Sequence, residues 1–181
     1  MMMNLPRLIK KELSCAEIFY LFMKKRDKIK VYADTSVFGG VFDPEFERSS
    51  RQFFASVERR RLILVTSGLV DEELRMAPAN VRAWFQRFER MAEVVGVSAD
   101  ALNLRRAYLA AGIVTRRSAA DALHVALATV NACSVLVSWN CRHIVHFRRI
   151  PRYNAVNRLE GYGEVAIHTP LEVLVDEDKS V

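Results

Sequence analysis

The chain has 181 residues, 27 Lys and Arg against 21 Asp and Glu, and 51% hydrophobic residues. Those figures fit one globular domain and exclude a disordered chain or two independent domains. Three cysteines, Cys15, Cys133 and Cys141, make no C-x-x-C pair and no even-numbered disulfide framework, so a reducing, cytoplasmic setting is expected. No apolar run approaches the roughly 18 residues that cross a bilayer, and Ile18 to Met23 is too short for a secretory signal; no membrane partner is expected.

Residues 1–29 read as an N-terminal extension, helical over Leu8 to Met23 or a mis-assigned start of translation. Six of the seven lysines fall before residue 31, and the composition changes where the first strand begins. A domain is expected over 30–175, followed by an acidic tail at 176–181. Between residues 31 and 175 the basic residues other than His are all Arg, whose planar fork suits phosphates and carboxylates alike. Arg142, Arg148, Arg149, Arg152 and Arg158 form a late cluster suited to phosphate contact.

The first strand is expected over 30–34, delivering Asp34, Thr35 and Ser36 at its carboxyl end. Asp34 reads either as a functional carboxylate or as a turn and cap residue. A helix over 48–60 and a strand over 61–66 follow. Ser67 then caps a helix over 68–76, in which the spacing to Leu69 and Val70 turns Glu73 inward and leaves Asp71 and Glu72 to solvent. The acids of this turn also complement a helix dipole without any further role.

Pro78 opens a helix over 79–92, a strand covers 93–97, and Ser98 caps a helix over 99–111. The next helix, 118–131, is apolar nearly all round and therefore buried. Its Asp121 is either a functional acid or the partner of Ser118 in a capping box, and His124 reads as a packed or hydrogen-bonded helix residue. A strand over 133–138 places Asn140 beyond its carboxyl end, as an oxygen donor to a metal, a phosphate-orienting amide or a cap. Cys141, His143 and His146 have poor spacing for tetrahedral zinc. The last strand is expected over 164–168.

Strands alternating with helices give an α/β fold, a three-layer sandwich with a central, mostly parallel sheet flanked by helices. Ligands in such sheets gather beyond the carboxyl ends of the strands. Asp34, Glu73, Asp121 and Asn140 come from separate segments, each at or just after such an end. Carboxylates that converge repel one another unless a cation lies between them, and an all-oxygen set suits Mg²⁺ or Mn²⁺. Such an ion serves hydrolysis of a nucleic-acid backbone. No G-x-S-x-G, phosphate loop or G-x-G-x-x-G occurs, and a small-substrate phosphatase is disfavoured because position 36 is Ser, not a second Asp.

Four blocks carry a resemblance: Val31 to Ser36, Ser67 to Leu74, Ala120 to Ala126 and Val137 to Ile144. In this order they resemble the PIN-domain ribonucleases, in particular the VapC-type toxins of toxin-antitoxin pairs, over about residues 30–175. The resemblance implies a PIN-like fold and a metal-dependent endoribonuclease with Asp34, Glu73 and Asp121 holding Mg²⁺ or Mn²⁺. It also implies a homodimer and a small VapB-like antitoxin partner. Asn140 stands where the family often has a second aspartate, which leaves open a single-ion enzyme assisted by Asn140 or a degenerate module that binds RNA or protein without cutting. For the enzyme, Thr35, Ser36, Arg142, Arg148 and Arg149 are the expected contacts to substrate phosphate.

Overall fold

The computed structural model describes residues 28–173. The expected helix at Leu8 to Met23, all but the last two residues of the 1–29 extension, and the tail 176–181 lie outside them. Five strands, β1 (Ile29–Ala33), β2 (Leu62–Ser67), β3 (Glu93–Val95), β4 (Val135–Val137) and β5 (Ala166–His168), form one sheet in the order β3-β2-β1-β4-β5. Every pairing is parallel. The expected strands are all present, each with bounds within two residues of the ranges read above.

β1 is central because its side chains allow nothing else. Val31, Tyr32 and Ala33 are fully buried, so the strand is covered on both faces, as parallel strands require. It pairs Val31 to Leu64 of β2 on one side and to Val135 of β4 on the other. The chain winds outward from β1 to β3, then returns to the opposite side of β1 for β4. The strand order therefore reverses between β1 and β4, where open α/β sheets leave a crevice at their carboxyl edge.

Helices α1 (Thr35–Gly40), α2 (Glu47–Glu58), α3 (Gly68–Leu74) and α4 (Ala79–Glu89) pack on one another and on β2. Helices α5 (Ala99–Ala110), α6 (Ala119–Val130) and α7 (Ile150–Leu159) form a second set, with α6 against β4. Two helix sets around a parallel sheet are consistent with the expected three layers. The first set closes over aromatics: Phe53, Phe54 and Val57 of α2 and Val81, Phe85 and Phe88 of α4 recur at helical spacing, and Phe54 meets Phe88 with ring centroids 4.4 Å apart.

Caps follow side-chain chemistry. Ser67 and Ser98 accept from the amides of Val70 and Ala101, as expected of helix-starting serines. Ser118 does not: it ends a 3-10 turn, Arg116–Ser118, and makes no side-chain cap bond, so the expected capping box with Asp121 is absent. Helices α1 and α7 are not foreseen in the sequence. Six residues ending Gly-Gly give α1 no readable period, and α7 buries a polar residue: Asn157 accepts from Tyr108 Oη and donates to Thr129 Oγ1.

Gly40 marks the tightest approach. An added Cβ there would stand 2.7 Å from Trp139 Nε1 and 2.8 Å from Ser50 Oγ, the two atoms of a 2.9 Å hydrogen bond that ties β4's following loop to α2. Gly40→Ala is expected to cost about 1–3 kcal/mol through overpacking, read by chemical denaturation; an unchanged midpoint would show that Trp139 moves aside freely.

Candidate functional site

Strand β1 ends in the buried residue Asp34, whose side chain caps α1 by accepting from the Ser36 amide at 3.1 Å. The cap reading is therefore correct, and it does not exhaust the residue. Asp34 Oδ1 also accepts from Ser36 Oγ at 2.6 Å and Oδ2 from Ser138 Oγ at 2.7 Å. All these donors are neutral. Burial pushes the Asp34 carboxyl above its ordinary range, and the nearby His124 and the hydroxyl bonds only partly offset that.

The loop after β4 closes the second side. Asn140 donates from its own amide to Ser138 Oγ, donates from Nδ2 to Asp121 Oδ1 at 2.7 Å, and accepts the His143 amide on Oδ1. Asn140 is thus both a turn cap and the partner that fixes Asp121, replacing the expected partner Ser118. Glu73 closes the third side. Its Oε2 accepts from Thr35 Oγ1 and meets His124 Nε2 at 3.1 Å. Desolvation works upward on Glu73, but its hydrogen bond to and charge interaction with His124, with the Thr35 bond, outweigh it and leave this carboxyl below its ordinary range.

His124 is buried as expected, yet it also belongs to the site. Its Nδ1 lies 2.9 Å from Tyr32 Oη, which lies 2.7 Å from Ser67 Oγ. One bonded chain thus runs from β2 through β1 and α6 to Glu73. The sequence signal for it is the polar face that Tyr32 and His124 present inside otherwise apolar elements.

Asp34, Glu73, Asp121 and Asn140 therefore meet at one edge of the sheet through shared neighbours. Among the described residues none of the three acids pairs with a Lys or Arg. The all-oxygen donor chemistry fits a hard dication, but no three His, Cys, Asp or Glu among the described residues stand close enough to hold a metal as placed. Each acid is instead held by its own hydroxyl, amide or imidazole. Ser36 is committed internally, donating to Asp34 and accepting the Trp139 amide at 2.8 Å; Thr35 is committed to Glu73. Both expected phosphate contacts are thus spent on positioning carboxylates.

Of the late arginines, Arg142 lines a cavity of about 820 Å³ together with Asp121, while Arg148, Arg149 and Arg152 line an adjoining one of about 420 Å³. Arg158 is directed elsewhere, paired with Glu164 at 2.6 Å. Arg116 and Arg117 also line the larger cavity and are missed by a reading that looks only for late arginines. Cys133 and Cys141 are free thiols. No described helix is long and apolar enough to cross a membrane.

Neither a protein-family profile nor a curated relative matches the sequence. Among solved structures the chain is similar to a component of VapBC2 from Rickettsia felis bound to a DNA fragment from their promoter. That likeness has 14% identity and a TM-score of 0.52, over 78% of this chain and 98% of the other. It is also similar to a component of FitAcB from Neisseria gonorrhoeae, with 15% identity and a TM-score of 0.51 over 77% and 97% of the two chains. At such identities the likeness carries the fold. These findings correct the resemblance to VapC-type PIN-domain toxins: the neighbours are toxin-antitoxin complexes, and the likeness does not assign this chain to the toxin rather than to the VapB or FitA component.

The raised Asp34 carboxyl has a consequence for stability. A carboxyl whose folded pKa lies above its unfolded one contributes stability at acid pH that is lost as pH rises through the folded value. Asp34→Asn, in chelator, is expected to melt higher than wild type at neutral pH, read by calorimetry. The gap should close at acid pH; a variant that melts lower throughout would show that the carboxylate is compensated.

Proposed function

We propose that the protein is a Mg²⁺- or Mn²⁺-dependent endoribonuclease that acts alongside a protein partner. The observation that carries the reading is that three carboxylates and an amide from separate segments lie at the same edge of the sheet, linked through shared neighbours and with no Lys or Arg paired to any of the three acids among the described residues. Asp34, Glu73 and Asp121 would hold the ion, which supplies Lewis acidity and a counter-charge for the phosphodiester. Asn140 orients Asp121 by donating from Nδ2 to its carboxylate, as an amide behind a metal ligand fixes that ligand's direction. Ser36 and Ser138 hold Asp34, and Thr35 with His124 holds Glu73. Arg142, beside Asp121 in the larger cavity, is the guanidinium best sited for substrate phosphate. The toxin-antitoxin complexes of similar fold support a partner protein.

A second reading, a module that binds RNA or protein without cutting, is favoured by the Asn140 to Asp121 bond. It puts an amide where a carboxylate would complete the charge of a cage. Cleavage decides between them. With purified protein, RNA and Mn²⁺, the nuclease reading expects cleavage that chelator abolishes and that Asp121→Asn lowers by about a hundredfold or more, the upper end of what losing a ligand's supporting partner costs. Asn140→Ala is expected to lose about 10–100-fold. Equal cleavage by wild type and Asp121→Asn, or none by either, would sink the nuclease reading.

A further inference from the structure

The two cavities meet at Thr115, which lines both, and Asp121 lines the larger of them; together they are called the trough. Its guanidinium groups differ from those that form ion pairs elsewhere on the surface, and share with Arg82 and Arg106, which donate to the Ala77 carbonyl and to Asn103 Oδ1, the lack of a carboxylate partner. Arg51, Arg75, Arg87 and Arg158 each pair with a glutamate, whereas the arginines of the trough have no carboxylate partner among the described residues. Two of them are fixed instead by acceptors that carry no full charge: Arg149 Nη1 donates to the Arg142 carbonyl and meets His143 Nδ1, both at 2.7 Å, and Arg152 Nη2 donates to the Ala111 and Gly112 carbonyls. Such positioning keeps full positive charge while restricting where it sits, which suits a ligand with repeated anionic groups.

Beside this trough stands Phe147, 76% exposed. Its ring is flanked by two residues that line the smaller cavity. His146 stacks on it at 5.4 Å with planes 11° apart, and the Arg148 guanidinium lies 5.4 Å from its centroid. A phenylalanine so exposed gains nothing from the core. An aromatic ring interleaved with cations is how proteins hold unpaired bases while their phosphates are neutralised.

We infer that His146, Phe147 and Arg148 form a stacking platform for an unpaired base of single-stranded RNA, whose phosphates run along Arg149, Arg142 and Arg116 toward Asp121. This deepens and rests on the ribonuclease reading, because the trough leads to its carboxylates. A fully paired duplex keeps its base faces stacked and offers the platform nothing.

The test is fluorescence anisotropy of a labelled short single-stranded RNA with the full chain in chelator, which reads binding without cleavage. Phe147→Ala is expected to weaken binding about tenfold with an unchanged salt slope, and Phe147→Tyr to restore it. Arg142→Ala is expected to reduce the slope of log affinity against log salt by about 0.7. A duplex of the same sequence should bind more weakly and be indifferent to Phe147→Ala. Wild-type affinity in Phe147→Ala, or a duplex bound as tightly as the single strand, would overturn the inference and leave the face to an acidic protein partner. The two proposals fail separately: binding without Mn²⁺-dependent cleavage removes the ribonuclease, and cleavage indifferent to the platform removes the platform.

Discussion

A carboxylate 3% exposed at the tip of the central strand, held by hydroxyls and amides and by no cationic side chain, is the constraint around which this edge of the protein is arranged. Ionised Asp34 is expensive in such a place. The fold bears the cost because the same oxygen atoms start α1, receive Ser138 from the loop after β4, and so stitch together the two strands between which the sheet changes direction. A cation at the edge would turn that cost into binding energy.

The distribution of arginine follows the same logic. With no Lys in the described domain beyond Lys28 and Lys30, guanidinium groups are the available positive charge. In the first helix set Arg51 and Arg87 each pair with a glutamate and lie over Trp84. Those around the 3-10 turn and the loop after β4 face open troughs. Positive charge is thus kept beside the acidic edge without neutralising it, the separation needed where an anionic polymer must approach carboxylates.

The fold was largely legible because its signals are periodic: all five strands, and the five helices from α2 through α6, follow from apolar spacing and from Ser67, Ser98 and Pro78. Helix α1 was hidden by its length, and α7 by Asn157, a buried polar residue whose worth depends on Tyr108 and Thr129 from elsewhere in the chain. At the site, Glu73 is exposed like Asp71 and Glu72, yet its carboxylate reaches Thr35 and the buried His124, so its spacing pointed to the right neighbours but not to burial. The exchange of partners at Asp121, from Ser118 to Asn140, was not legible, because it depends on a 3-10 turn that moves the serine out of cap geometry. Nor was the commitment of Ser36 and Thr35 to the carboxylates. Family membership was over-read for a related reason: short blocks at strand ends record an architecture more than a lineage.

The central claim is that the carboxylates after β1, in α3 and in α6, none of them paired with a Lys or Arg among the described residues, take up a shared dication. Its most direct measurement is anomalous diffraction at the manganese edge from crystals of the full chain grown in Mn²⁺. The account predicts a peak coordinated by oxygens of Asp34, Glu73 and Asp121. Well-ordered carboxylates that retain their present neutral partners, with no peak among them in saturating Mn²⁺, would contradict it.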